Sequence, residues 1–425
     1  MSKLSCLYLS AAMLTGLAMT PVRAADPADP AGVVANYADI GAATFGDALI
    51  SARELQAAVD RLIAEPTQAT LDAARAAWTV ARVPYQQSEV YRFGNPMVDD
   101  WEGRVNSWPL DEGLIDYVDA SYAESGENEL ATLNVIATPT FEIGGEAVDA
   151  TTITPELIAG KLQGADGLDA NVASGYHAIE FLLWGQDLNG TEAGAGNRPY
   201  TDFVTGADCT GGNCDRRVAY LQAVTDLLVA DLEEMANAWA PGGAARAAVE
   251  ADPKAGLLAM LTGMGSLSYG ELAGERMKLG LLLNDPEEEQ DCFSDNTHNS
   301  HYNDAVGMQS VYLGRYVRID GTEVKGPALA ELVAAADPAV DAELRGKLEA
   351  SVAALGAIKA AAEGGLAYDQ MLAPGNAEGE KLIGGGVDAL VAQTASVERA
   401  VSALGLSQIE FEGSDSLDNP GAVFQ

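Results

Sequence analysis

Apolar residues recur at three- and four-residue intervals through most of the chain, a period that predicts helices rather than strands. The first run covers about 33–63 and should stop at Pro66; the second covers 70–93, where Pro84 is expected to kink or break it. Residues 94–125 lose the period: Gly94, Pro96 and Pro109 punctuate a stretch that holds Trp101 and Trp108. One segment alternates instead. TPTFEIGGEAVDATTIT, at 138–154, reads as a hairpin turning at Gly144-Gly145. Helical spacing returns at 155–162 and 171–184. After a loop rich in Gly and Asn it resumes at 215–239, 254–283, 302–317, 327–362 and 379–405.

This pattern predicts an all-α chain of two helical-bundle domains joined near 190–215, with one small β-hairpin inserted. The expected units are 25–200 and 201–410, followed by an acidic, loosely held tail at 411–425. NVASGYHAIEFLLWG at 171–185 can be laid on NDAVGMQSVYLG at 303–314, matching Gly175 with Gly307, His177 with Gln309 and Glu180 with Tyr312. A duplicated bundle would leave such an echo.

Residues 1–24 read as a signal peptide: Lys3, an apolar run from Leu7 to Ala18, then Val22-Arg23-Ala24 as a cleavage site. That run is short for a membrane span, and no later one reaches about 18 apolar residues. The mature chain is therefore expected outside the cytoplasm with no transmembrane segment. Lys and Arg number 24 against 63 Asp and Glu, a net charge of −39, which loss of Lys3 and Arg23 makes more negative still. Such a surface repels nucleic acid and attracts cations, but bulk charge of this kind serves solubility first. Cys209 and Cys214 bracket a Gly-rich loop, and export makes a local disulfide the expected state. Cys292 is then left as a free thiol or an alternative partner.

Chemistry concentrates at 171–184. On a helix, His177 and Glu180 share a face with Ala173, Phe181 and Trp184, while Val172, Tyr176, Ile179, Leu182 and Leu183 take the other directions. A helix apolar all round is a buried one. A buried carboxylate is costly unless it is paired, hydrogen-bonded or bound to a metal. His177 and Glu180 could satisfy each other, reach an arginine, or ligate a metal. Two ligands do not complete a site, and the HExxH of zinc peptidases is absent. Further ligands would be acidic, which suits iron, manganese or zinc better than a thiolate site would. Glu89, near Arg92, and Asp111, near Asp99, Asp100 and Glu112, are the favoured additions, against ordinary solvated roles for both. His298 and His301 fall in a polar stretch expected to be a helix-capping loop. Glu271, Glu275 and Arg276 read as an ion-pair ladder.

GYHAIE at 175–180 fits the GxHxxE pattern of the imelysin family, which the chain resembles. VPY at 83–85, YRFG at 91–94, VDDWEGRVNSWPLDEGLIDYV at 98–118, GERM at 274–277, CFSDNTH at 292–298 and GMQSVYLGRY at 307–316 are similar to its iron-regulated protein A branch. The resemblance implies a periplasmic helical protein with a site between two bundles. It also implies metal binding through HxxE, an iron or zinc ion as cofactor, and a link to iron acquisition or iron response. An iron-bearing ligand and envelope iron-transport components would be its partners. The alternative is a metallopeptidase of the imelysin type. Hydrolysis needs a metal-activated water, an open coordination position and a general base, and the sequence offers no assigned base. A third reading makes the pair a polar lock between bundles.

Overall fold

In the computed structural model, which describes residues 29–120, 122, 128–407 and 409–424, the chain is helical apart from two small antiparallel hairpins. The expected signal peptide lies outside the described residues. Helix α1 (Pro30–Ala64) starts where the Asp29 side chain accepts from the Gly32 amide at 2.9 Å and Pro30 brings a φ ready for the first turn. Thr67 caps α2 (Gln68–Ser88) reciprocally with Thr70. Contrary to the expected break, α2 runs through Pro84. The carbonyl that loses its partner is that of Val80, on a half-exposed position, where water can satisfy it.

The described part of the stretch 94–125 is less irregular than its composition suggests. It contains α3 (Pro96–Glu102), and Trp101 donates from Nε1 to the Asp231 carbonyl at 3.0 Å. The hairpin forms as expected, β1 (Thr140–Ile143) pairing with β2 (Glu146–Asp149). Gly144 and Gly145 both have positive φ, the turn that suits right-twisted strands.

Then come α4 (Gly175–Trp184), α5 (Cys214–Trp239), α6 (Ala244–Glu250) and α7 (Pro253–Ser266), which widens into a π-helix at Leu267–Lys278. The expected single helix at 302–317 is α8 (Thr297–Leu313), ended by Gly314. A second hairpin follows it, β3 (Arg315–Val317) with β4 (Glu323–Lys325). The expected helix at 327–362 is two, α9 (Leu329–Ala336) and α10 (Pro338–Glu363). Asp337 ends the first and caps the second by accepting from the Ala339 amide. A short α11 (Tyr368–Leu372) and α12 (Ala377–Ala403) complete the order.

Two groups of helices pack around the core. One is α1, α2, α4 and α5; the other is α7 with its π segment, α8, α10 and α12. The expected boundary at residue 200 does not divide them, because α5, which follows it, packs on α1 and α4. Contacts of α1 with α7 and of α2 with α8 join the groups. Of the acidic tail, Ser414 and Ser416 are buried, and Ser416 Oγ donates to the Gly274 carbonyl at 2.9 Å. Among the described residues no helix is long and apolar enough to cross a membrane. Cys209 and Cys214 are disulfide-bonded, and Cys292 is a buried free thiol.

A buried knot ties α5 to the loop before it. Asp116 accepts from Arg198 Nη1 at 2.7 Å and from Arg217 Nε at 2.6 Å, with Arg217 Nη2 on its other oxygen at 2.9 Å. Burial alone would raise the Asp116 carboxyl, but Arg198 and Arg217 outweigh it and hold the group below its usual range. A folded-state pKa below the unfolded one adds stability at neutral pH that is lost as pH falls through the folded value. Asp116→Asn is therefore expected to cost about 2 kcal/mol near pH 7. The gap between the urea midpoints of the two proteins should begin to narrow only as pH falls below about 4, the ordinary carboxylate value, and close at more acid pH still.

Candidate metal centre

Helix α4 begins deep inside. Tyr176 N donates to the Val105 carbonyl at 2.7 Å, Trp78 Nε1 on α2 donates to the Tyr176 carbonyl at 2.9 Å, and Tyr220 Oη on α5 donates to the Ala173 carbonyl at 2.9 Å. Gly175, at φ +81°, makes this approach possible: a Cβ there would stand 2.4 Å from the Val105 oxygen. So anchored, α4 is buried along its whole length, as its apolar circumference requires, and His177 and Glu180 are 0% exposed.

The two do meet each other, His177 Nδ1 lying 3.0 Å from Glu180 Oε2. A third group joins them. Asp291, in the loop between the π segment and α8, places Oδ1 3.9 Å from His177 Nδ1. One ligand atom from each of the three lies within 4.8 Å of the others. Donors fix both carboxylates. Ser294 gives Glu180 Oε1 its amide at 3.0 Å and its hydroxyl at 2.6 Å. Asp291 takes Arg82 Nη2 at 2.7 Å, Asn296 Nδ2 at 2.8 Å and the Ser300 hydroxyl. Arg82, itself buried, donates to Asn106 Oδ1 at 2.6 Å and lies over the rings of Trp78, Tyr85 and Tyr176.

Burial, reinforced by Arg82, pushes the His177 imidazolium down to about 3, so the ring is neutral at pH 7 and able to ligate. Burial and then Asp291 raise Glu180 well above the carboxylate range. Asp291 goes the other way: burial opposes ionisation, but Arg82 prevails and holds it at about 2. Glu180 is thus reluctant to ionise by itself, and a cation beside it would favour the ionised form. His177 Nε2 is buried with no partner. Whichever nitrogen carries the proton, the protein leaves one side of this ring unsatisfied. A neutral imidazole, two carboxylates and spacings of 3.0 and 3.9 Å fit a first-row ion with ligands at about 2.0–2.2 Å.

The other expected ligands lie elsewhere. Glu89 accepts from Arg276 Nη2 at 2.7 Å, in a buried network where Arg276 also meets Glu271 at 2.7 Å and Asp304 at 3.3 Å. The ladder is therefore centred on Arg276 and takes in Glu89. Asp111 accepts from Tyr122 Oη at 3.2 Å and from the Asn128 amide. His298 and His301 are on α8 itself and not in a capping loop, and His301 packs edge-on against Tyr368. Asp291 was missed. Two features of the sequence point to it: Arg82, on a face of α2 that packs inward and needs an acid, and the run of Ser294, Asn296 and Thr297 just after it, rich in donors.

The imelysin model, Peptidase M75, matches residues 41–397, and the chain belongs to that family. Iron-regulated protein A of Synechococcus elongatus is 35% identical over 83 residues, 19% of this chain. The match spans only 21% of that relative's length. The crystal structure of a protein described as an iron-regulated protein A precursor, from Parabacteroides distasonis, superposes with a TM-score of 0.63. It covers 88% of this chain and 95% of that one at 20% identity, a likeness of fold.

Proposed function

We propose that the protein binds a metal ion between its two helix groups, through His177, Glu180 and Asp291, and serves iron acquisition or iron response outside the cytoplasm. The carrying observation is the buried triad: a neutral imidazole and two oriented carboxylates within 4.8 Å of one another, with no exposed face. The iron connection is suggested by the names of the two similar proteins, and iron suits a nitrogen and oxygen donor set. Export to the periplasm is supported by the signal-like start and by the disulfide between Cys209 and Cys214. Complete burial of the triad argues against the peptidase alternative, since a peptide bond has no open approach to it.

Elemental analysis of purified protein after exposure to iron, manganese and zinc tests this reading, wild type beside His177→Ala. Bound metal is expected in the first and loss of most of it in the second, with helical circular dichroism unchanged. Equal, near-zero metal in both would overturn the proposal. A fall in stability alone would make the triad a polar lock.

A further inference from the structure

We propose that Asp187, Asp295, Asp369 and Glu289 form a second cation site, which takes a hard divalent ion of the Ca²⁺ class through oxygen ligands alone. One oxygen from each of Asp187, Asp295 and Asp369 lies within 4.8 Å of the others. Oxygens on opposite sides of a bound Ca²⁺ stand about 4.6–5.2 Å apart, so the three are spaced to share one ion.

On a chain of net charge −39, crowded acids alone would mean little. What distinguishes this cluster is its floor. Asp369 is 1% exposed and Glu289 0% exposed; Asp369 Oδ2 and both Glu289 oxygens lack an ordinary hydrogen-bond donor, and the two acids face each other instead. The Thr297 hydroxyl is near Glu289 but makes no bond of normal geometry to it. The Glu289 carboxylate is close enough to Asp369 and Asp295 to interact with both. Asp295 Oδ1 is likewise buried and unpartnered. Buried carboxylates are ordinarily hydrogen-bonded, paired with a cationic side chain or coordinated to a metal. Glu180 and Asp291 have their donors; Asp295 Oδ2 has the Gly194 amide at 3.2 Å and Asp187 Oδ1 has Asn189, but Asp295 Oδ1, Asp369 Oδ2 and both oxygens of Glu289 have none.

The approach is acidic too. A cleft of about 420 Å³ is lined by Asp111, Glu112, Asp187 and Glu287, with Trp108 and Tyr122. Asp187 belongs to both cleft and cluster, so an ion drawn to the cleft meets the first ligand there. A donor set of carboxylates alone favours Ca²⁺, whereas the imidazole of the His177 centre favours a first-row ion. The loop 289–296 carries residues of both sites.

Metal-stripped protein is titrated with CaCl₂ by calorimetry, in salt sufficient to screen the diffuse surface charge. Wild type and His177→Ala are both expected to bind one Ca²⁺ and to melt at a higher temperature with it. Asp369→Asn should bind about tenfold more weakly or worse, and lose the thermal shift. Should that variant fail to fold, Asp187→Asn, at a half-buried position, is expected to show the same weakening. The proposal is overturned if wild type has no Ca²⁺ site, or if both Asn variants bind as wild type does. Loss of binding in His177→Ala alone would assign the ion to the other centre and also overturn it.

Discussion

Exchanging Arg82 for leucine is expected to lower the unfolding free energy of the metal-free protein by about 3–5 kcal/mol, the usual cost of stripping a buried charge of its partner. Arg82 and Asp291 are both essentially unexposed and pair at 2.7 Å. Three further losses accompany the change. Asn106 Oδ1 loses its 2.6 Å donor, the rings of Trp78, Tyr85 and Tyr176 lose the guanidinium between them, and the ionised form of Asp291 loses its main support. Asn296 and Ser300 still donate to Asp291, so the acid is not bare, but neither brings charge.

The check is urea unfolding of Arg82→Leu beside the double variant Arg82→Leu/Asp291→Leu. The second should recover part of the loss, because it leaves no orphaned charge. A loss below about 1 kcal/mol in the single variant would mean that the pair is not what joins α2 to the 289–296 loop.

How far this centre was visible in the sequence depends on how local each signal was. His177 and Glu180 stood out because ten consecutive positions are otherwise apolar or small, and a local pattern of that kind survives folding unchanged. The hairpin was legible for the same reason, two glycines between alternating residues. Disulfide pairing of Cys209 with Cys214 also followed from short range. Readings went astray where tertiary surroundings decided. Pro84 is a breaker by propensity, yet the bond it removes falls on a half-exposed face and the helix continues. Gly314 and Asp337 each interrupt a run whose apolar period carries on past them.

Glu89 and Asp111 were plausible acids close in sequence to aromatic helix ends. Arg276, 187 residues away, claims the first, and a local network claims the second. Asp291 is the converse case. It sits in a polar loop with no periodicity, and only its long-range pairing with Arg82 brings it beside His177.

That difference in partners gives the ligand set its sharpest test. Asp291→Asn keeps the shape of the side chain and an oxygen for Arg82, but removes the negative charge facing His177. It is expected to weaken Zn²⁺ binding by more than about 100-fold, above the roughly 10–100-fold typical of groups that merely orient a ligand. Zn²⁺ is the probe because it has no redox chemistry, and competition with a chromophoric chelator reads the affinity directly. Glu89→Gln should leave that affinity nearly unchanged, because Glu89 answers to Arg276; Asp111→Asn should do so because Asp111 faces Tyr122 and Asn128. Their cost should appear in stability instead. Should Asp291→Asn bind Zn²⁺ as wild type does while Glu89→Gln or Asp111→Asn loses it, the centre would have to be rebuilt around those acids. The metal would then lie away from the loop that supplies Ser294 to Glu180. If all three variants bind equally, His177 and Glu180 hold the ion without an acid from any of these positions, and the carboxylate of Asp291 is there for Arg82 alone.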